Sequence, residues 1–498
     1  MTSFVTLKTH LLFPELYLFF LMVIYLISTL FVKSLHLQKL NFLLIFLLLP
    51  LGVYQLFYFS EVVQQLAMNG MYIHDSLSYF LKSISVFLIV MLLIYSSKYT
   101  NIIGINSAEF NLLSLFSLLG QFIIISANNL LTIYLGIELL SLALISVVAL
   151  RRNSNVSSEA AMKYFVLAAL ASGFMLYGMS MIYGITGSLD LLFISDYIVS
   201  ENINNMVLVF GLVFLISGIG FKFGAVPFHM WVPDVYEGSS FSTALLLGAA
   251  PKIAAIALLL RLLAEGLPEL SQHWEKMLLI MGLLSIILGN FVAIAQSNIK
   301  RLLGYSTIGH VGFILLAFGS GFLKQNYEGA LDAYSSMLFY VITYTFSVTG
   351  AFGVLLIINK DEKDKDNIND LKGLLQKNPV AAWCMVAFMF SMAGVPPAVG
   401  FYAKFVVLES LISSDYLLIV VLAALSSVVG AFYYLRIVKI ILFDNDEKNK
   451  SIFYDDKEIA FFPKFLISIN GLSIIILGLF PGPIMNICSN AVTNSLVF

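Results

Sequence analysis

Long apolar runs separated by short polar stretches occupy the chain from end to end. Runs of about 18 or more apolar residues are long enough to cross a bilayer as helices. About fourteen such spans are predicted, near residues 11–32, 40–59, 77–97, 109–127, 129–150, 158–184, 206–230, 241–264, 276–297, 300–319, 331–359, 380–412, 417–443 and 462–485. Because the connecting stretches are short, we expect one all-α polytopic membrane domain over 1–498.

Two of the predicted spans are interrupted. The stretch 220–238 contains Pro227 and Pro233, and the stretch 393–405 contains two prolines and two glycines. Backbone groups freed by such breaks must be bonded by neighbours or water, and a pair of broken spans points to an internal repeat with a site at each break. We therefore expect N-terminal helices over 1–105, repeats over 106–265 and 270–445, and a C-terminal helix within 446–498.

Composition narrows the class of protein further. With 60% hydrophobic and 11% charged residues, the chain cannot be a water-soluble globule. The net charge of −2 provides no basic patch for nucleic acid. Cys384 and Cys488 lie far apart, and no clustered His/Cys spacing occurs, so a zinc, haem or iron–sulfur site in this chain is not expected. Any electron carriers should therefore lie on partner proteins.

Charged residues in alternate loops predict the orientation. The first run, from Leu11, lacks a small-residue cleavage site and is interpreted as a retained helix. The opposite loops are acidic, with few cations apart from Lys276 and Lys324. By the positive-inside rule the basic side is cytoplasmic, which places both termini outside. That basic side comprises Lys33, Lys39, Lys98, Arg151, Arg152, Lys300, Arg301 and the loops 360–377 and 444–464.

The predicted spans contain ionisable residues, of which the candidates for function are Glu138, Lys163, Lys222, Lys252 and Lys404. A charge in lipid is costly and usually marks an ion pathway. Burial weakens the hold of a lysine on its proton and a nearby carboxylate opposes that effect, so Glu138 with one or more lysines could carry protons. The alternatives are a structural ion pair, an interfacial position for Lys163, and a Lys222 side chain that reaches the membrane surface.

Two histidines are weaker candidates. His229 follows the first break and His310 lies in a Gly- and Ser-containing stretch, 306–312. Histidine can relay protons near neutral pH. A packed or interfacial histidine is the alternative at both positions.

These motifs resemble the antiporter-like membrane subunits of respiratory complex I, the proton-pumping NADH:quinone oxidoreductase, and among them the bacterial N-type. The resemblance covers about 109–440 and rests on the stretches 135–139, 159–164, 222–238, 296–306 and 393–404. A lysine at 404 argues against the M-type, and an end at Phe498 leaves no room for the lateral helix of the L-type. One departure is that 238–241 lacks the prolines usual there.

The resemblance implies a fourteen-helix fold with two inverted repeats, a broken helix in each, and a central hydrophilic axis that carries protons. It implies that Glu138 is the channel carboxylate, Lys222 and Lys404 are the lysines of the two broken helices, Lys252 is the connecting lysine, and Lys163 is a further lysine of the N-type.

The expected function follows from the same resemblance. The chain would be a proton-translocating subunit of the NADH:quinone reductase, with FMN, iron–sulfur clusters and quinone on partner subunits. Its neighbours would be other antiporter-like subunits in a bacterial inner membrane, with an organellar inner membrane as the alternative location. A subunit of a cation/proton antiporter or of a membrane-bound hydrogenase, and a purely structural membrane spacer, remain the alternatives.

Overall fold

The computed structural model describes residues 8–31, 37–200, 206–321, 327–359, 366–444 and 459–496. These residues are almost entirely helical. Their α-helices are α1 Phe13–Phe31, α2 Leu37–Tyr58, α3 Ser76–Ile102, α4 Ser107–Ile125, α5 Leu130–Ala149, α6 Asn155–Thr186, α7 Leu191–Ser200, α8 Met206–Phe223, α9 Trp231–Gly238, α10 Phe241–Gly248, α11 Ala250–Leu259, α12 Ser271–Ile294, α13 Ile299–Ser320, α14 Tyr327–Ile358, α15 Leu374–Lys377, α16 Pro379–Ala393, α17 Val399–Ser413, α18 Leu417–Phe443, α19 Phe461–Leu479 and α20 Gly482–Thr493.

Short elements complete the described chain. Strands β1 Gln65–Ala67 and β2 Tyr72–His74 pair antiparallel, with Leu66 opposite Ile73. A π-helical turn, Leu260–Glu265, extends α11. Short 3₁₀ helices occur at Thr9–Leu12, Met68–Gly70, Pro268–Leu270 and Ile368–Leu371.

The predicted all-α membrane architecture is confirmed, with corrections at the breaks. Thirteen helical stretches in the described residues are long and apolar enough to cross a membrane. The predicted span 380–412 is two helices, α16 and α17, which together form a further crossing. The predicted span 206–230 ends at Phe223, and 241–264 is divided at Ala249 because Pro251 begins a new helical turn. Lys33, Lys324 and parts of the two charged loops, 360–365 and 445–458, lie outside the described residues.

Because successive crossings run antiparallel, the molecule has two faces. We call the face at which α1 begins the amino-terminal face, and the face at which α5 ends, with Arg151 and Arg152, the basic face. Near the end of the described chain, the Ser495 hydroxyl accepts a hydrogen bond of 2.8 Å from the Leu77 amide at the start of α3. Both ends of the described chain therefore lie at the amino-terminal face.

Glycines allow α12 and α13 to pack with their backbones in close approach. A Cβ atom on Gly289 would lie 2.6 Å from the Gly309 nitrogen, and one on Gly282 would lie 2.9 Å from the Gly312 oxygen. The hydrophobic effect does not drive membrane helices together, because lipid is as apolar as their side chains. Small residues at the interface instead allow close van der Waals packing between the helices. This contact holds α13, which carries His310, against its neighbour.

A larger side chain in this interface is expected to destabilise the protein. Gly289→Leu should lower the free energy of unfolding by about 1–3 kcal/mol, because the backbones must move apart. The measurement is the thermal denaturation midpoint of the purified assembly in detergent. Gly173→Leu is the control, since a Cβ there meets no atom within 4 Å among the described residues. Equal midpoints for the two variants would contradict the packing argument.

Candidate functional site

Each broken crossing has the same local construction. Helix α8 ends at Phe223 and helix α16 ends at Ala393, and each is followed by a glycine in the left-handed region, Gly224 at φ +75° and Gly394 at φ +81°. Residues with a Cβ atom rarely adopt this backbone conformation, so glycine is favoured at both positions. The prolines that follow cannot donate to a helical carbonyl, and the chain resumes as α9 and α17. Since α8 enters from the amino-terminal face and α16 from the basic face, the two breaks have opposite directions.

A lysine ammonium binds the carbonyl end of the first half-helix at each break. Lys252 Nζ donates to the Phe223 oxygen over 2.7 Å, and Lys404 Nζ donates to the Ala393 oxygen over 2.9 Å. The carbonyl end of a helix carries a partial negative charge. It can therefore stabilise a cation inside the membrane, where water is not needed to solvate the charge. Lys252 reaches its break from α11, whereas Lys404 lies on α17 and also donates to the Ser427 hydroxyl over 2.8 Å.

Glu138 and the serine that binds Lys222 both lie on α5. Lys222 Nζ donates to the Ser141 hydroxyl over 2.6 Å, and Ser141 lies three residues after Glu138, on the same helix face. The Glu138 carboxylate accepts a hydrogen bond from the Ser172 hydroxyl of α6. No ion pair joins Glu138 to a lysine within the residues that the structure describes. The Ser172 hydroxyl binds the Glu138 carboxylate, whereas the Ser141 hydroxyl accepts from Lys222 and donates to the Ile137 oxygen over 2.7 Å.

Lys163 contacts other carboxylates. Its ammonium lies 2.9 Å from Glu159 and 3.1 Å from Asp234 on α9, and Arg301 binds Asp234 at 2.8 Å and Glu237 at 2.7 Å. This network joins α6, α9 and α13. The structure therefore places Lys163 beside the second half of the first broken crossing, and it does not bring the ammonium into contact with Glu138.

His310 lies in a buried network of hydroxyl groups. Its Nδ1 atom is 2.8 Å from the Tyr340 hydroxyl and its Nε2 atom is 3.0 Å from the Tyr434 hydroxyl, which is hydrogen-bonded in turn to Ser306. The ring stacks on Tyr344 at 4.6 Å between centroids. Three helices, α13, α14 and α18, thus converge on one imidazole, with groups that can each donate and accept a proton.

Phe313 connects this network to the second break. It lies one turn after His310 on α13, and Lys404 Nζ is 5.6 Å from its ring centroid. His229, in contrast, is half-buried at the surface of the first break, beside the exposed side chain of Met230, and does not contact the His310 network. The structure supports a central position for His310 only.

Sequence reasoning missed two kinds of residue. The hydroxyl partners Ser141, Ser172, Ser427, Tyr340 and Tyr434 come from separate helices, and only folding brings them to the ionisable groups. The signal for Ser141 was its spacing of three from Glu138. The second kind is a set of ionisable residues within the predicted spans 11–32, 77–97 and 241–264, namely Glu15, Lys82 and Arg261. The signal that could have found them is the one used for the lysines, an ionisable residue inside an apolar span.

Arg261 binds two buried carboxylates near the amino-terminal face. Its guanidinium donates to both carboxylate oxygens of Asp75 at 2.7 Å, to Glu265 at 2.6 Å and to the Ile125 oxygen at 3.3 Å. Burial raises the pKa of Asp75, but the Arg261 charge and hydrogen bonds outweigh this and hold it below the ordinary value. Asp75 also caps the start of α3. The contacts of Arg261 therefore join the π-helical turn after α11 to the start of α3 and the end of α4.

Comparison with known proteins gives a consistent result. Residues 127–430 match the family described as NADH:quinone oxidoreductase/Mrp antiporter, TM. The chain is 46% identical to the NADH-quinone oxidoreductase subunit N of Herminiimonas arsenicoxydans over 88% of both chains. It is 44% identical to the subunit of the same name from Nitrosomonas europaea, over 97% of this chain and 98% of that one. A chain of respiratory complex I from Thermus thermophilus superposes with a TM-score of 0.78 at 27% identity, over 95% of this chain and 98% of that chain.

Proposed function

The chain belongs to the NADH:quinone oxidoreductase/Mrp antiporter membrane family, and from that premise we propose that it is the proton-translocating N-type subunit of a bacterial NADH:quinone oxidoreductase. It acts as one part of a translocase whose other subunits oxidise NADH and reduce quinone. The observation that carries this function is the pair of broken crossings, each with a lysine ammonium bound to the carbonyl end of a half-helix. A structural spacer needs no such charges in lipid.

We propose that protons move between sites held by these charged groups. At the first break, the Lys222 ammonium and the Glu138 carboxylate are the two proton-bearing groups, and the Ser141 hydroxyl that accepts from Lys222 lies three residues from Glu138 on α5. Lys252 connects this region to α11, and Lys404 serves the second break. The His310 network lies along α13 and provides proton-bearing groups toward Lys404.

Lys163 and its carboxylate partners form the part of the route toward the basic face. The ammonium of Lys163 forms an ion pair with Asp234, and Arg301 binds the same carboxylate. His229 has no assigned step, because its half-buried ring lies outside the central contacts. The two breaks belong to repeats over 106–265 and 270–445, and the opposite directions of α8 and α16 support an inverted relation.

Location and partners follow from the same assignment. The chain lies in the bacterial inner membrane beside other membrane subunits of the complex, among them antiporter-like ones. FMN, iron–sulfur clusters and quinone are held by partner subunits, and electron transfer there drives the charge movement here. The basic face, with Arg151 and Arg152, is cytoplasmic, so both termini are periplasmic and protons leave toward the amino-terminal face.

The contact between Lys222 and Ser141 provides a direct test of the route. Ser141→Ala is expected to reduce NADH-driven proton translocation several-fold, because the contact between Lys222 and the face of α5 that bears Glu138 is lost. The measurement is the initial rate at which the interior of inverted membrane vesicles is acidified after NADH is added. The rate is normalised to the amount of assembled complex. Ser146→Ala is the control, since this serine of the same helix bonds only its own Leu142 carbonyl among the described residues. Equal rates in both variants would remove Ser141 from the route.

The second candidate function is cation/proton exchange without electron transfer, which the same buried charges could support and which the matched family also includes. Purified assemblies in liposomes distinguish the two. Proton movement that requires NADH and quinone supports the proposed function. Sodium or potassium exchange for protons without NADH would contradict it and support the second candidate.

A further inference from the structure

The guanidinium of Arg261 lies between two carboxylates that the proposed route does not use. Arg261 and Glu265 belong to the π-helical turn after α11, and Asp75 precedes the start of α3. Asp75 and Arg261 have no exposed surface, and Glu265 is 8% exposed. With both carboxylates ionised, this cluster would contain one negative charge in excess, and an uncompensated charge in a buried site is costly.

Within the described residues, Arg261 is the only cation that contacts either carboxylate. Lys82, two turns beyond Asp75 on α3, lies 2.5 Å from the carboxylate of Glu15, which balances its charge. Burial and the Lys82 charge lower the pKa of His74 to about 4, so this neighbouring ring is neutral at physiological pH. The described side chains therefore leave the excess charge of the cluster unbalanced.

The other elements packed against the π-helical turn supply no further charge to Glu265. These elements are α7, the 3₁₀ turn Pro268–Leu270 and the start of α12. The charges that act on Glu265 are those of Arg261 and Asp75. Within the described chain, no titratable side chain of these elements forms an ion pair or hydrogen bond with Glu265. Those side chains are Asp196, Tyr197, Glu269, His273, Glu275 and Lys276.

Arg261 does not bind the two carboxylates equally. Its Nη2 atom lies 2.7 Å from both oxygens of Asp75, one of which also accepts from the Ser78 amide over 2.9 Å. Glu265 accepts a single hydrogen bond, of 2.6 Å, through Oε1 from Nη1. Its other oxygen, Oε2, is buried and has no hydrogen-bond partner within the described residues. Hydrogen bonds to the ionised form favour ionisation, so Asp75 is stabilised as a carboxylate more strongly than Glu265.

We propose that Glu265 is a proton-binding site of the amino-terminal face, which takes up a proton from the aqueous phase and releases it within the physiological pH range. When two carboxylates share one site, the less stabilised one retains its proton to a higher pH. The proton adds to Oε2, while Oε1 continues to accept from Arg261. Uptake converts the carboxylate to the neutral acid and removes the excess charge, and Arg261 keeps Asp75 as its counter-ion. Release of the proton to water restores the carboxylate.

The position of Glu265 allows exchange with water. It is the last residue of the helical stretch that begins at Phe241, and the chain leaves this helix at Gly266. Of the three side chains in the cluster, it alone has exposed surface. A proton can therefore reach it from the amino-terminal face without passing the central lysines. The site lies outside the proposed route, and its binding of protons does not rest on the proposed function.

Infrared spectroscopy of the purified complex, without NADH, tests the site. The difference spectrum between about pH 5 and 8 should contain a carboxylic-acid band that is lost in Glu265→Gln. Glutamine retains an oxygen that can accept from Arg261, but it binds no proton in this range. The band should be retained in Glu109→Gln, the matched control, because Glu109 is partly exposed at the basic face and paired with Arg152. Glu265→Asp should retain a titrating band at a shifted frequency.

Removal of the competing carboxylate tests the shared guanidinium. Asp75→Asn should lower the pH at which the Glu265 band disappears by about one unit or more, because Arg261 then has Glu265 as its only carboxylate among the described residues. Asparagine is also a favourable N-cap, so the start of α3 should be preserved. An unchanged pH would contradict the sharing of Arg261 between the two carboxylates.

Thermal denaturation of the complex in detergent provides a second measurement. The folded protein holds a proton at Glu265 at pH values where the unfolded chain has released it, so a rise in pH through neutrality should lower the denaturation midpoint. This fall should be smaller in Glu265→Gln. Spectra and midpoints of Glu265→Gln that match those of the unaltered complex at every pH would leave a permanently ionised structural cluster and overturn the proposal. Because NADH is not added, this result and a loss of pumping are independent.

Discussion

Replacement of Lys404 by methionine is expected to lower NADH-driven proton translocation and coupled quinone reduction by about ten-fold or more. Methionine has a similar length but cannot carry a proton, and loss of a proton-transferring side chain typically costs about 10²–10⁴ in rate. The variant also leaves the Ala393 carbonyl and the Ser427 hydroxyl without their shared donor. The measurement is vesicle acidification, together with NADH oxidation by quinone and by a soluble artificial electron acceptor.

The controls separate a lost proton carrier from a lost contact. Oxidation of NADH by the soluble acceptor should be unchanged, since it does not use the membrane subunits. Lys439→Met, at an exposed lysine of α18, should leave translocation unchanged. Ser427→Ala removes one of the two hydrogen-bond acceptors of Lys404 and should have a smaller effect than the loss of the ammonium. Normal translocation in an assembled Lys404→Met complex would contradict the role assigned to this residue.

Loss of Arg261 should destabilise the subunit more than any other single substitution considered. Arg261→Met leaves the Asp75 carboxylate buried and without the cation that binds both of its oxygens, and Glu265 loses the same partner. Removal of one member of a buried ion pair typically costs about 3–5 kcal/mol, because the remaining charge is uncompensated. We expect little assembled subunit in the membrane and a lowered denaturation midpoint of what can be purified.

A double substitution tests the cause. In Arg261→Met/Asp75→Asn, the uncompensated carboxylate is also removed, so the double variant should be more stable than the sum of the two single effects predicts. Arg152→Met is the matched control at an exposed arginine, whose surface ion pair with Glu109 contributes little. Additive losses in the double variant would show that the arginine acts through packing alone.

The sequence was sufficient to locate the two breaks and their lysines, but not their roles. Lys222 precedes its prolines and Lys404 follows them, and the resemblance implies that they are the lysines of the two broken helices. In the structure, the ammonium groups that bind the carbonyl ends are those of Lys252 and Lys404, while Lys222 binds a serine. A lysine side chain is long and flexible, so its position along the chain does not identify the carbonyl or hydroxyl that it reaches.

The expected pairing of Glu138 shows the same limit. Its carboxylate and the lysines lie on separate helices, and the distance between them depends on how α5, α6 and α8 pack. That packing places Ser172 against the Glu138 carboxylate and Ser141 against the Lys222 ammonium. Likewise, His310 could be recognised as a candidate, but its contacts with Tyr340 and Tyr434 depend on α14 and α18, which follow later in the chain.

The sequence by itself determined what must cross the membrane, because in lipid a run of apolar residues has few alternatives to a helix. Its prolines and glycines determined where two crossings break, and its composition excluded a water-soluble protein. Only the tertiary structure decided which charges meet, including the Arg261–Asp75 contact across 186 positions of the chain. Such contacts depend on which helix faces turn toward one another, and apolar spans of nearly uniform composition carry little information on those faces.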